Sequence, residues 1–173
     1  MEKNRNEPVD TQALKSLVIV FSYHHNNTEK IAKAIAKVLG AQVKTPQQVR
    51  PEELEEYDLV GFGSGIYSAT FAASVRDLAD RLPQSPGKEA FLFSTYGAPA
   101  AIATREFTEK NQQQIRETLL AKGYTVTGEF GCAGWNTNSF LKYFGGLNKG
   151  RPDENDVKNA EAFARDMMEK ARI

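Results

Sequence analysis

The stretch Ser16 to Gly40, SLVIVFSYHHNNTEKIAKAIAKVLG, most constrains what this chain can fold into. An apolar run, Leu17 to Phe21, is too short for a helix and rich in β-branched residues, and a polar loop follows it without a gap. Beyond the loop the spacing predicts a helix with Ile31, Ala34, Ile35, Val38 and Leu39 on one face. Gly40 supplies a left-handed stop. The unit reads as strand, loop, helix, with one helix face built to lie on a sheet.

The loop concentrates chemistry. His24, His25, Asn26, Asn27 and Thr28 bring imidazole, amide and hydroxyl groups to the first turn of a helix. Backbone N–H groups there lack intrahelical partners and the helix dipole is positive, which together make an anion site. The alternative use of Asn27 or Thr28 is ordinary helix capping.

The rest of the chain keeps alternating. A short strand is expected at Ala41 to Lys44, a helical turn at Glu52 to Glu56, and a strand from Tyr57 to Ile66 that runs into a glycine-rich loop, Gly63 to Thr70. A helix over Ser74 to Leu82 stops at Pro83, and a buried strand, Glu89 to Ser94, leads into a turn at Thr95 to Pro99. A long helix follows from Ile102 to Lys122, then a strand with Val126, Gly128, Phe130 and Cys132 on one face. The last helix opens at Asp153, with Asp156 placed for a capping box and Val157, Ala160, Phe163, Ala164, Met167 and Ala171 as its buried stripe. Such alternation implies a parallel sheet covered by helices on both faces. Ala133 to Arg151 has little periodicity and is long for a loop, so it is either functional or not a plain loop.

Composition removes several function classes. Lys plus Arg and Asp plus Glu both number 22, so no global field draws nucleic acid or an anionic membrane. One cysteine, Cys132, excludes an internal disulfide and reads as a small buried hydrophobe; two adjacent histidines offer no metal-ligand spacing. No segment has the apolar length of a membrane span and MEKNRNEPVD has no apolar core of a leader, so a cytoplasmic location is expected. Residues 1–15 read as a polar extension and 16–173 as one domain.

Three loops carry a family likeness. Tyr23-His24-His25-Asn26-Asn27-Thr28 resembles the flavodoxin signature Ser/Thr-x-Thr-Gly-Asn-Thr, which closes on the phosphate of FMN. Tyr23 replaces Ser or Thr, with Ser22 adjacent, His25 replaces Thr, and Asn26 replaces Gly while still tolerating a left-handed turn. Gly63-Ser64-Gly65-Ile66-Tyr67 resembles the Gly-Ser/Thr-Pro-x-Tyr of short flavodoxin-like proteins, with Gly65 for Pro. Phe93-Ser94-Thr95-Tyr96-Gly97 resembles the family's flavin-edge loop.

The resemblance covers Ser16 to Ile173 and implies a flavodoxin-like doubly wound five-stranded parallel sheet, order 2-1-3-4-5, with helices on both faces. It implies FMN as cofactor, held by Ser22, Tyr23, His24, His25, Asn26, Asn27 and Thr28 at the phosphate. Ser64, Gly65, Ile66, Tyr67, Ser94, Thr95, Tyr96 and Gly97 would lie at the ring, with Tyr67 and Tyr96 flanking it. The function implied is electron transfer between redox partner proteins of unknown identity, by a monomer or dimer that uses no catalytic residue. The alternative is an FMN-dependent NAD(P)H or quinone oxidoreductase, although no G-x-G-x-x-G opens a helix. Many electron-carrying flavodoxins are strongly acidic, whereas this chain is neutral. Phosphoacceptor receiver domains, which share the strand order, need acidic strand ends where this chain has Ser22-Tyr23-His24 and Gly63-Ser64-Gly65. Trp135 is expected to close the loop on the core or to cap the flavin pocket, and Phe140 to Gly146 to form an apolar cluster that packs locally, shields the flavin or meets a partner.

Overall fold

A computed structural model describes residues 14–102 and 104–171. In chain order the elements are β1 (Ser16–Phe21), α1 (Asn27–Leu39), β2 (Gln42–Lys44), β3 (Leu59–Tyr67), β4 (Thr70–Phe71), α2 (Ala73–Asp80), β5 (Glu89–Tyr96), α3 (Arg105–Ala121), β6 (Thr125–Ala133) and α4 (Glu154–Lys170). Five strands are parallel in the order β2-β1-β3-β5-β6, which is the expected 2-1-3-4-5 path. The sixth, β4, is additional and pairs antiparallel with the end of β3.

Strand alternation sends the apolar residues to both sides of the sheet. Leu17, Ile19, Val60, Phe62, Ala90 and Leu92 pack against α2 and α3. Val18, Val20, Leu59, Phe91 and Phe93 pack against α1 and α4. The predicted α1 face is buried at Ile31, Ala34, Ile35 and Leu39, and Gly40 ends the helix at φ 63°. Asp153 and Asp156 close the expected capping box of α4.

The glycine-rich stretch after Gly61 departs from expectation. Gly63, Ser64 and Gly65 are not loop but sheet, opposite Phe93, Ser94 and Thr95. A Cβ on Gly61 would lie 2.2 Å from the Phe91 ring and one on Gly63 2.0 Å from the Phe93 ring. These glycines make room for neighbouring aromatic rings, a use that sequence alone does not distinguish from a turn. The chain turns later, at Ser68 and Ala69, both at positive φ (51° and 64°) as a two-residue hairpin requires.

Two further boundaries moved. The helix expected from Ile102 begins at Arg105 because the Thr104 hydroxyl caps it, accepting from the Phe107 N–H; Ala100–Ile102 form a separate 3₁₀ turn. Val126 does not share a face with Phe130 and Cys132. A bulge beside Ala90 and Phe91 inserts Thr127, so Val126 faces α2 and α3 while Phe130 and Cys132 face α1 and α4. Of the expected N-terminal extension only Leu14 and Lys15 lie within the described residues; Leu14 packs on the second core and Lys15 pairs with Glu56.

Candidate functional site

Three loops at the carboxyl ends of β1, β3 and β5 meet beside the start of α1, where ligands bind in sheets of this kind. The loop after β1 holds two consecutive left-handed residues, His25 (φ 52°) and Asn26 (φ 53°). Asn26 stands at the N-cap of α1 but no side chain caps the helix. Among the described residues, neither a carbonyl nor a side chain accepts the N–H of Thr28 or Glu29. Asn27 is instead spent on the Trp135 carbonyl, to which its Nδ2 donates at 2.9 Å. Thr28 is buried, with its hydroxyl 2.7 Å from that of Thr95. Free N–H groups, two hydroxyls and the positive end of a helix suit an anion.

A cavity of about 90 Å³ opens onto this turn. Of the expected site residues it gathers Ser22, His24, Asn27, Thr28, Gly65, Ile66, Tyr67, Thr95, Tyr96 and Gly97. A second space of about 610 Å³ adjoins it, lined by Phe21, Tyr23, Phe71, Arg76 and others. His24 and Tyr67 line both spaces. Burial raises the Tyr67 phenol above its ordinary value, opposed by a hydrogen bond from the Tyr23 backbone. A third cavity, about 670 Å³, lies along α3 and the open edge of β6 and contains none of the expected site residues.

Five expected residues stay outside the small cavity. Tyr23 is 73 % exposed and lines only the larger space. Asn26 shapes the turn by its backbone. His25 stacks on Trp135, and its Nε2 lies 2.8 Å from the Thr137 hydroxyl. Ser64 and Ser94 are fully buried in the sheet. The Ser64 hydroxyl accepts the Ala72 N–H and donates to the Gly65 carbonyl, while that of Ser94 accepts from Gln112. Both hydroxyls hold structure.

Tyr96 lines the cavity from a buried position, 3 % exposed and edge-on to Phe107 at 5.0 Å. Burial chiefly pushes its phenol up to about 12. Cys132 is buried, and burial pushes its thiol well above the usual range, in keeping with a small hydrophobe.

The 133–151 segment adds to the site. Trp135 lines the cavity, the second of its two expected placements, and stacks on His25; Asn136 and Asn138, which the sequence does not single out, lie beside it. The Asn136 amide donates to the Gly97 carbonyl, and the Asn148 amide to those of Ala98 and Gly134. Gly97 and Gly134 lack the Cβ that would meet Asn136 and Asn27 at 2.4 and 2.7 Å. The available signal is the three asparagines, Asn136, Asn138 and Asn148, in a stretch without periodicity.

The description "Flavodoxin domain" matches residues 18–135. The chain belongs to the flavodoxin family. This flavodoxin-family chain is 41 % identical over 155 residues to an uncharacterised protein of Methanocaldococcus jannaschii, a match that covers 90 % of this chain and 99 % of that one. Its fold is similar to an archaeal flavodoxin structure (TM-score 0.67, 18 % identity, covering 92 % of this chain and 100 % of that one). It is similar also to Flavodoxin 2 of Bacillus cereus (TM-score 0.64, 22 % identity, covering 90 % and 99 %). Family membership implies a flavin cofactor. Among the described residues no helix is long and apolar enough to cross a membrane, and no cluster of potential ligands for a metal ion occurs.

Proposed function

We propose that this flavodoxin-family protein binds FMN at the α1 turn and passes electrons between redox partner proteins. The reading rests on one observation above others: α1 begins with no side-chain cap, leaving the Thr28 and Glu29 N–H groups for an anion. The Thr28 and Thr95 hydroxyls add donors, and no carboxylate lines the cavity to repel a phosphate. The residues present therefore fit the phosphate end of the nucleotide.

The ring end asks more of the chain. A cavity of about 90 Å³ is small beside ligand pockets of roughly 300–1,000 Å³. A flat ring would need the adjoining 610 Å³ space as well, and His24 and Tyr67 line both spaces. Tyr67, Gly65 and Gly97 are the residues that would hold the ring. Bound FMN supplies one- and two-electron redox chemistry. The protein's part is to hold the phosphate, exclude water from one side of the ring and leave an edge for partners.

One observation favours a second reading, an FMN-dependent NAD(P)H or quinone oxidoreductase. Because Tyr96 is withdrawn toward Phe107, it does not block one side of the site against a second planar molecule. The absorption spectrum of the purified protein tests flavin binding, and single-turnover reduction separates the two functions. The carrier reading expects slow reduction by NAD(P)H and fast reduction by a one-electron donor. Fast reduction by NAD(P)H would replace it with the oxidoreductase.

A further inference from the structure

Neutral net charge conceals loops of one sign. The stretches 16–28, 59–76, 90–105 and 130–152 carry β1, β3, nearly all of β5 and the end of β6 through their carboxyl-end loops to the helices beyond. Together they hold five Lys or Arg and no Asp or Glu, and Glu29, Asp77, Glu106 and Asp153 stand just beyond them in or at the helices. At the opposite end of the sheet both signs occur, with Glu53 and Glu56 paired to Lys44, Arg50 and Lys15.

Of the five cations, Arg105 pairs with Glu109 at 2.7 Å and Arg151 with Asp156 at 2.5 Å. Among the described residues, no carboxylate lies within ion-pair distance of Arg76, Lys142 or Lys149. Arg76 lines the larger space beside the site, and Lys142 and Lys149 belong to the segment whose Trp135 and Asn136 line the smaller one. The same loops expose aromatic rings: Tyr23 is 73 %, Phe140 66 %, Tyr143 77 % and Phe144 81 % exposed. The Lys142 ammonium lies 5.0 Å over the Tyr143 ring. Exposed aromatic rings beside cations make a recognition surface, and its charge selects the partner.

We propose that this face docks a small electron-transfer protein whose own contact surface is acidic. On the segment after β6 a basic partner would meet Lys142 and Lys149 without an ion pair and no carboxylate before Asp153, whereas an acidic one gains attraction at both lysines. The choice of a redox protein rests on the carrier reading; the charge and shape of the face do not.

The test measures binding by titration calorimetry, which needs no electron transfer, on the purified protein with whatever flavin it carries. The probes are a [4Fe–4S] ferredoxin with an acidic surface, cytochrome c with a basic one, and NADPH. The ferredoxin is expected to bind more tightly than cytochrome c, and its affinity to fall at least about tenfold between roughly 20 and 300 mM salt as the charges are screened. A Lys142→Glu/Lys149→Glu variant, with unchanged circular dichroism, is expected to reverse the preference, while Lys142→Arg/Lys149→Arg keeps it. Tighter binding of cytochrome c, salt-independent binding, an unaltered preference in the Glu variant, or binding of NADPH alone would each overturn the proposal. Flavin content, read separately by absorption, shows whether the carrier reading has failed instead.

Discussion

The His25 and Trp135 rings lie nearly flat on one another, with centroids 4.1 Å apart and planes inclined by 20°. This contact joins the turn before α1 to the segment after β6, more than a hundred residues away in sequence, at the mouth of the cavity. With the Asn27–Trp135 and His25–Thr137 hydrogen bonds it fixes a turn whose two left-handed residues cost conformational energy.

Trp135→Ala is therefore expected to weaken FMN binding without unfolding the protein. An aromatic pair contributes about 0.5–1.5 kcal/mol beyond burial, which corresponds to roughly 2- to 13-fold in affinity. Trp135→Phe is expected to retain most of it. Fluorescence titration of FMN against each variant checks this, and equal affinities for the Ala variant and the parent would dissociate the stack from binding.

The sheet makes a separate prediction. Gly63→Ala places a methyl group where the Phe93 ring already stands, 2.0 Å away. Overpacking of this kind costs about 1–3 kcal/mol or more, so the urea midpoint should fall. Pairing the change with Phe93→Leu should recover part of the loss. If Gly63→Ala alone left stability unchanged, the close packing of β3 on β5 would be misassigned.

Asp153 gives stability a pH dependence with a defined sign. Its carboxylate accepts the N–H groups of Asn155 and Asp156 at the start of α4. The bond from Asp156 chiefly, with the nearby Arg151 charge assisting, holds it below its ordinary 3.8. A depressed folded value means that the stabilisation is fully present above the ordinary value and is lost as pH falls through the folded one. Asp153→Ala should accordingly lower the melting temperature at pH 6, and the gap to the parent should narrow below about pH 4. A gap constant from pH 3 to 7 would contradict the charged cap.

Legibility in the sequence followed the range of the interaction. The β1–α1 unit and the α4 capping box rest on local periodicity and caps, and both stand where the sequence places them. Gly63 reads as the start of a loop because the ring it accommodates belongs to another strand. The Thr127 bulge turned Val126 to the opposite face, a change that alternation alone conceals. In the site, the loops after β1, β3 and β5 are legible as motifs and Trp135 as a residue of either pocket or core, but Asn136 and Asn138 are not. Trp135 and Asn136 are placed by long-range side-chain to backbone hydrogen bonds, which leave no period in the chain. The contact of Tyr96 with Phe107 is likewise not announced by its sequence neighbourhood.

The phosphate assignment at Thr28 carries the rest of the account, and the ratio of FMN to riboflavin affinity measures it most directly. A charge-assisted hydrogen bond contributes about 1.5–3 kcal/mol, so FMN should bind at least roughly tenfold more tightly than riboflavin. Thr28→Ala should reduce that ratio while leaving riboflavin binding nearly unchanged. Equal affinities for FMN and riboflavin in the parent protein, or no uptake of either, would contradict the account.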